Sequence, residues 1–216
     1  MLRDLQEISD GKIYGTKDMV RAACRGCEGC HACCVDMGES ILLDPSDIRM
    51  LSEATGSTFE QLTAEGRIAL CVADGMILPY LKMDERTNRC GFLDEAGRCR
   101  IHTARPGLCR VFPLGRIYEE GRISYFLQAG ACEKPGTVKV KVGKWLDGSG
   151  TKQQERFLLQ WHGLKSRVQE HLKNRDETEE KTIHLFLLQL FYVKPYDNGD
   201  FYVQFEKRLE EVEKVL

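Results

Sequence analysis

The stretch that decides the fold is Cys24-Arg-Gly-Cys27-Glu-Gly-Cys30-His-Ala-Cys33-Cys34, in which five thiols fall within eleven residues. Small residues separate most of the cysteines, so the backbone can curl until several sulfur atoms face one centre. Cysteines at three-residue steps are typical of zinc sites and of iron–sulfur clusters. Because buried free cysteines are usually scattered singly, this density predicts a metal-binding site. The alternative is a disulfide knot or a run of small buried hydrophobes.

The remaining composition is that of an ordinary soluble globular protein. The chain has 216 residues, ten cysteines and a formal net charge of −2. This length suits one domain, or one domain with an appendage. A nucleic-acid-binding protein usually has a clear basic excess, so no nucleic-acid partner is expected.

The sequence predicts a cytoplasmic location. Acidic residues occur early and no apolar signal-peptide core follows them. The longest apolar run, residues 183–193, is too short to span a bilayer. In a reducing compartment, clustered cysteines are metal ligands or redox groups more often than structural disulfides.

Local signals predict helices after the first cysteine cluster. Asp44-Pro45-Ser46-Asp47 has the pattern of a helix start, and Gly56 has that of a helix end. A capping box is expected at Ser57-Thr-Phe-Glu60. Residues 76–81, 90–93 and 122–127 have the character of strands.

Four further cysteines, Cys90, Cys99, Cys109 and Cys132, lie in this strand-and-turn region. The tight turn at residues 94–97 predicts a hairpin that brings Cys90 and Cys99 close to each other. Cys109 lies between two prolines, which restrict its local backbone. A second group of thiols is therefore expected near one centre.

Beyond residue 136 the pattern changes. Residues 138–142 alternate like a strand, and the Gly/Ser-containing segment 147–150 follows as a candidate boundary. Apolar stripes at three- and four-residue steps then predict three helices. We therefore expect an α+β fold: a lead-in at residues 1–20, a small cysteine-rich metal-cluster domain with short helices and β-hairpins at 21–146, and a C-terminal helical extension at 151–216. That extension is a possible site for a protein partner.

Two motifs together resemble the CxxCxxCC cysteine-cluster family. The first is Cys27-x-x-Cys30-x-x-Cys33-Cys34, and the second runs from Cys90-Gly-Phe-Leu through Cys99-x-Ile-His-x-x-Arg-Pro-x-x-Cys109-Arg-x-Phe-Pro113. The intervening Ile41-Leu-Leu-x-Pro-x-Asp-Ile48 fits the same pattern. This family is described as a zinc- or iron-chelating domain, and it also resembles part of the flagellin lysine N-methylase.

The resemblance implies a ligand set. Its members are Cys27, Cys30, Cys33, Cys34, Cys90, Cys99 and Cys109, with Cys132 as an eighth that has less motif support. Cys24 and Cys71 fall outside the motifs. His102 stands where the family often has a tyrosine, so it is not assigned as a ligand.

Seven or eight thiolates exceed the four that one zinc ion uses. Two arrangements remain: two four-thiolate sites, or one polynuclear iron–sulfur cluster with the other thiols structural or redox-active. We expect an iron–sulfur cluster with at least one [4Fe–4S] centre, with zinc as the alternative. Cys33 and Cys34 would diverge in extended backbone and so serve two sites more easily than one, a constraint that a polynuclear cluster relaxes. Arg105 and Arg110 flank Cys109. Their guanidinium groups either lie near the cluster sulfurs, where they offset thiolate charge and tune the reduction potential, or form surface salt bridges.

The sequence leaves three kinds of function open. The cluster would serve redox chemistry, sensing or structure. Two alternatives are a protein-modifying enzyme similar to the lysine N-methylase and a zinc-stabilised interaction module. No phosphate-binding glycine loop or Rossmann motif is present in the sequence.

Overall fold

The protein is an α+β chain in which short helices and paired strands precede longer C-terminal helices. The computed structural model describes residues 5–23, 30–132, 138–146 and 151–216. Cys24 and Cys27 lie outside the described residues. The helices are α1 (Leu5–Ile8), α2 (Pro45–Thr55), α3 (Phe59–Ala64), α4 (Gly107–Val111), α5 (Val142–Trp145), α6 (Lys152–Leu172), α7 (Glu177–Leu188) and α8 (Phe201–Val212). The strands are β1 (Met19–Ala23), β2 (Ile68–Ala73), β3 (Met76–Leu81), β4 (Leu114–Glu119), β5 (Arg122–Leu127) and β6 (Val138–Lys141).

Helix α2 begins and ends where the sequence predicts. The Asp44 carboxylate accepts the backbone N–H of Asp47, and the Asp47 carboxylate accepts that of Asp44. Pro45 occupies the first turn, where its missing N–H costs no hydrogen bond. Gly56 ends the helix with a φ of +71°, a conformation that glycine adopts without steric cost.

Helix α3 also begins with a capping box, but one residue later than predicted. Thr58 is the N-cap, and its hydroxyl accepts the backbone N–H of Gln61. The Gln61 side chain accepts the N–H of Thr58 in return. The prediction of Ser57 and Glu60 was wrong because Ser57-x-x-Glu60 and Thr58-x-x-Gln61 both match the motif.

The described strands form three antiparallel pairs, namely β1 with β6, β2 with β3, and β4 with β5. The predicted strands at 76–81, 122–127 and 138–142 are confirmed as β3, β5 and β6. Their partners were missed by the sequence analysis. Leu42 adds a single bridge to Tyr80 on the free side of β3, which joins the segment before α2 to this hairpin.

The hairpin predicted around residues 90–102 is reduced to a tight turn with one bridge. Leu93 pairs with Cys99, and the Gly97 N–H donates to the Asp94 carbonyl at 3.0 Å. The Asp94 carboxylate also accepts the Arg98 N–H at 2.7 Å. The turn prediction is confirmed. The strand prediction at 90–93 was wrong because the Leu93 N–H turns back to the Cys90 carbonyl at 2.9 Å, while the Cys90 N–H donates to the Cys34 carbonyl.

The predicted C-terminal helices are confirmed as α6, α7 and α8, and a π-helical turn, Gln189–Val193, extends α7. Their apolar faces meet in an aromatic cluster around Phe205, whose ring lies 4.7 Å from that of Phe157 and 6.3 Å from that of Trp161. Phe205 is fully buried. The apolar stripes of these helices thus pack in the core. The protein partner expected on the helices stays a prediction.

The C-terminal helices contact the cysteine-rich part of the chain directly. The Tyr192 hydroxyl donates to the Leu43 carbonyl at 3.0 Å, in a buried position. The turn between β2 and β3 lies against α6 and α7, where Asp74 pairs with Lys165 and His184 Nε2 lies 3.1 Å from the Gly75 carbonyl. One hydrophobic core contains residues of both parts. The predicted domain boundaries stay a prediction, and residues 147–150 lie outside the described ranges.

As for membranes, none of the helices among the described residues combines the length and the apolar character needed to cross a bilayer.

Candidate metal centre

Six cysteine side chains line one cavity of about 500 Å³. They come from both motifs, and they are Cys30, Cys33, Cys34, Cys90, Cys99 and Cys109. Apolar side chains form part of its wall, among them Leu81, Leu93 and Ile101. The cavity therefore gathers thiols that lie up to 79 residues apart in the sequence, between Cys30 and Cys109.

The end of the first motif forms a 3₁₀ turn, Ala32–Cys34. The Cys34 N–H donates to the His31 carbonyl at 2.8 Å, and this turn brings the Cys33 and Cys34 sulfur atoms within 3.9 Å of each other. The two adjacent side chains thus do not diverge as they would in extended backbone. The extended backbone on which the two-site expectation rested is therefore not found at this turn, and the assignment of the pair to one site or two stays a prediction.

Backbone hydrogen bonds hold the two motifs together. The Cys90 N–H donates to the Cys34 carbonyl at 2.8 Å, and the Asp36 N–H donates to the Asn88 carbonyl at 2.9 Å. Val35 also forms a bridge with Arg89. This pairing places Cys34 and Cys90 side by side at the cavity, a contact between residues 56 positions apart that local patterns do not reveal.

Gly97 lets the turn of the second motif approach the first motif closely. Its φ is +73°, and a Cβ at this position would lie 2.8 Å from His31 Nδ1. Any side chain here would therefore displace the imidazole. His31 lines the cavity at its exposed edge, as does His102.

The two arginines beside Cys109 have different surroundings. Arg105 lines the cavity, and its Nε donates to the His102 carbonyl at 3.1 Å. Arg110 is directed toward α2: its Nη1 donates to the Arg105 carbonyl at 2.5 Å, and its Nη2 lies 3.9 Å from Asp47 Oδ1. Arg105 is thus the cation nearer to the thiols, whereas Arg110 joins α4 to α2.

The thiols differ in acidity because their surroundings differ. The neighbouring Cys34 thiol, and to a smaller extent Arg105, lower the pKa of Cys33 to about 7, whereas burial opposes this shift. The hydrogen bond with Cys33 and burial raise the pKa of Cys34. Burial also raises the pKa of Cys90, Cys99 and Cys109. Metal binding by these thiols would therefore release protons at neutral pH.

The donor chemistry of this cavity fits zinc or iron, since both bind several cysteine thiolates. As the side chains stand, no three Cys, His, Asp or Glu groups among the described residues are arranged to hold a metal ion. Of the other predicted ligands, Cys27 lies outside the described residues. Cys132 is half-buried and, within the described ranges, is not part of the cavity lining. Cys71 lies on β2, half-buried and apart from this lining.

Sequence reasoning did not identify the role of Asp47. This carboxyl group is only 2% exposed and accepts the N–H of Gly107 at 2.7 Å, from a segment 60 residues away. The available signal was its position in the segment 41–48 that resembles the family pattern. Its link to the second motif is a tertiary contact, which spacing alone does not predict.

Comparison with known proteins agrees with the donor chemistry of the cavity. No curated protein and no solved structure shows significant similarity to the chain. One family model, described as "Putative zinc- or iron-chelating domain", matches residues 26–133, which is half of the chain and includes the six cavity cysteines. The resemblance in the cysteine motifs is thereby confirmed, and the chain belongs to the CxxCxxCC family.

Proposed function

We propose that this protein binds an iron–sulfur cluster, with at least one [4Fe–4S] centre, through the thiols of the cavity. The proposed ligands are drawn from Cys27, Cys30, Cys33, Cys34, Cys90, Cys99, Cys109 and Cys132. The observation that carries the proposal is the meeting of six cysteines from two distant motifs at one cavity of about 500 Å³. When bound, such a cluster supplies one-electron redox chemistry or structural support.

The spread of the thiols favours a polynuclear centre. A zinc ion and a [4Fe–4S] cluster each take four thiolates, so the six thiols around the cavity exceed the need of one centre of either kind. A [4Fe–4S] cluster binds one thiolate on each of four irons and so spreads its ligands over a wider space, as a cavity of about 500 Å³ allows. Apolar side chains form part of the wall beside the thiols, and the surroundings of a cluster influence its potential.

Arg105 is proposed to balance part of the thiolate charge, since it lines the cavity with the cysteines. Arg110 is proposed to act from outside the cavity by holding the backbone of Arg105. Neither arginine would bind the metal; each would act on the residues around the ligands.

Zinc is the second candidate, and one distance favours it. In a tetrahedral site with Zn–S bonds of about 2.3 Å, two thiolates on the same ion lie about 3.8 Å apart. The Cys33 and Cys34 sulfur atoms are 3.9 Å apart. Thiolates on different irons of a [4Fe–4S] cluster are separated by roughly 6 Å, so only one member of this pair would ligate such a cluster.

Metal analysis of protein purified without oxygen tests both candidates. About four irons and four acid-labile sulfides per chain, with a broad visible absorption band, are expected for one [4Fe–4S] centre. Zinc without sulfide or colour would overturn the iron–sulfur proposal and leave the zinc candidate. Absence of both metals in protein that is still folded would contradict both.

Substitution of single cysteines assigns the metal to the cavity. We expect Cys90→Ser or Cys99→Ser to reduce the bound metal per chain, because each removes a thiol from the cavity lining. Cys71→Ser is the matched control, since Cys71 lies on β2 outside that lining. Equal metal loss in all three variants would argue against the cavity as the binding site.

A further inference from the structure

A buried carboxyl group connects the helix between the two cysteine motifs with the second motif itself. Asp47 lies in the first turn of α2 and is 2% exposed. Its Oδ2 accepts the Asp44 N–H at 3.1 Å, within the same capping box. Its Oδ1 accepts the Gly107 N–H at 2.7 Å, from a segment 60 residues further along the chain. One side chain thus satisfies backbone donors of two different helices.

Helix α4 depends on this contact for its first backbone donor. Gly107 is the first residue of α4, and the residue before it, Pro106, provides no side-chain cap. The N–H groups at a helix start have no partner within the helix, so a buried helix start needs an acceptor from elsewhere. Asp47 supplies that acceptor to α4. Cys109 lies two residues after Gly107, on the same short helix.

A second contact attaches the part of α4 that follows Cys109 to the same helix α2. The Arg110 guanidinium lies 3.9 Å from Asp47 Oδ1 and donates to the Arg105 carbonyl at 2.5 Å. Its Nη1 also lies 3.3 Å from the Met50 sulfur on α2. The residues on both sides of Cys109 are therefore attached to α2, and Asp47 takes part in both attachments.

The contact at this junction is made by the backbone of Gly107 and not by its lack of a side chain. A Cβ at Gly107 would make only ordinary van der Waals contacts, at 3.7 Å from Asp47 Oδ1 and 3.5 Å from the Arg116 guanidinium. Removing the carboxyl group would leave the Gly107 N–H buried without its acceptor, which destabilises that arrangement.

We propose that Asp47 is a positioning residue for Cys109: its carboxyl group sets the start of α4 and thereby aims the Cys109 thiol into the cavity. This inference rests on the proposed function, in which Cys109 is a metal ligand. It does not depend on the charge of Asp47, because Oδ1 accepts a hydrogen bond in either protonation state.

The experiment compares three variants of the full-length, reduced, metal-free protein. Asp47→Ala removes the acceptor for Gly107, whereas Asp47→Asn retains an oxygen atom in its place. Asp44→Ala is the matched control, because it breaks the same capping box and keeps the Asp47 acceptor of the Gly107 N–H. The first readout is the rate at which N-ethylmaleimide alkylates Cys109, measured by peptide mass spectrometry relative to Cys71 in the same sample.

Asp47→Ala is expected to raise this relative rate about fivefold, the effect of losing one net hydrogen bond. Asp47→Asn and Asp44→Ala are expected to leave it close to the wild-type value. An unchanged rate in Asp47→Ala would overturn the inference, as would an equal rise in Asp44→Ala or in Asp47→Asn. If Asp47→Ala does not fold, Asp47→Ser, which shortens the side chain, replaces it with the same expectations.

The second readout is the thiolate-to-metal absorption band formed on titration with Co²⁺ alone. We expect a weaker band per bound ion in Asp47→Ala than in wild type, because one thiolate is misplaced, and a wild-type band in Asp44→Ala. A wild-type band in Asp47→Ala would contradict the positioning role. If wild-type protein itself gives no such band, the zinc candidate fails, and iron and sulfide analysis decides the cluster; the alkylation rates still decide whether Asp47 holds Cys109.

Discussion

The region around the cavity and the C-terminal helical region are stabilised by different means. The cavity region, residues 30–37 and 82–111, has isolated bridges, tight turns and one five-residue α-helix. The helical region, residues 152–216, has long helices that enclose a cluster of buried aromatic side chains. Regular helices with a large apolar core are stable through packing, whereas short turns around cysteines usually need metal. We therefore expect the cavity region to depend on bound metal for its stability and the helical region to depend on its packed apolar core.

The largest expected effect is that of metal removal. Binding of structural zinc contributes about 10–16 kcal/mol in zinc-finger peptides, because it is coupled to folding. After chelation we expect backbone amides of residues 82–106 to lose protection from hydrogen exchange. Amides of α4, which Asp47 attaches to α2, and those of α6 and α8 should keep it. Hydrogen exchange followed by mass spectrometry measures both in one sample. Equal loss of protection in both regions would refute the contrast between them.

The next largest effect is expected from a core substitution in the helical region. Phe205 is fully buried against Phe157, Trp161 and Phe201, so Phe205→Ala should lower the free energy of unfolding by about 3–5 kcal/mol. Urea denaturation with and without metal measures this change. We expect the same loss in both states, because none of these rings belongs to the cavity lining.

Val203→Ala is the control for Phe205→Ala. Val203 lies on the same helix but is 50% exposed, so its substitution should change the free energy of unfolding by less than about 0.5 kcal/mol. A Phe205→Ala effect that disappears on metal removal would show that the helical region is not independently stable.

Two glycines test how closely the motifs approach each other. Gly97 and Gly121 both have φ near +70°, with values of +73° and +69°. A Cβ on Gly97 would meet His31 at 2.8 Å, whereas nothing lies within 4 Å of one on Gly121. Each alanine substitution carries a backbone cost of about 1–2 kcal/mol. Only Gly97→Ala should also weaken metal binding, which a competition titration with a chromogenic chelator measures.

An equal loss of metal affinity in both glycine variants would indicate a general effect of backbone strain. Unchanged affinity in Gly97→Ala would instead show that His31 moves aside without disturbing Cys33 and Cys34. The first result would mean that the turn at Gly97 has no special role in metal binding. The second would mean that the contact between the two cysteine motifs tolerates a side chain at Gly97.

Local signals explain which parts of this fold could be predicted from the sequence. Helix α2 has an N-cap, a proline in its first turn and a glycine at its end, all within residues 44–56. The C-terminal helices follow from apolar periodicity alone. Strand β2 was missed although Asp74-Gly75, which forms its turn, is a common hairpin signal.

Contacts between distant residues explain what could not be predicted. Strand β1 pairs with β6, more than 110 residues later, and neither strand contains a signal for the other. The same holds for the hydrogen bond from Gly107 to Asp47 and for that from Cys90 to Cys34. Cysteine spacing predicted metal binding by the thiols, but only the tertiary structure brings six of the eight described cysteines to a common cavity.

The smallest expected effects come from two aspartates with similar local roles. Asp176 caps α7 in the helical region, and Asp94 accepts the Arg98 N–H in the turn beside Cys99. Replacing either with alanine should cost about 1 kcal/mol. Asp176→Ala should lower the free energy of unfolding equally with and without metal. Asp94→Ala should lower metal affinity about fivefold and leave the unfolding of the metal-free protein unchanged, because we expect the turn that it stabilises to lose its structure when the metal is removed.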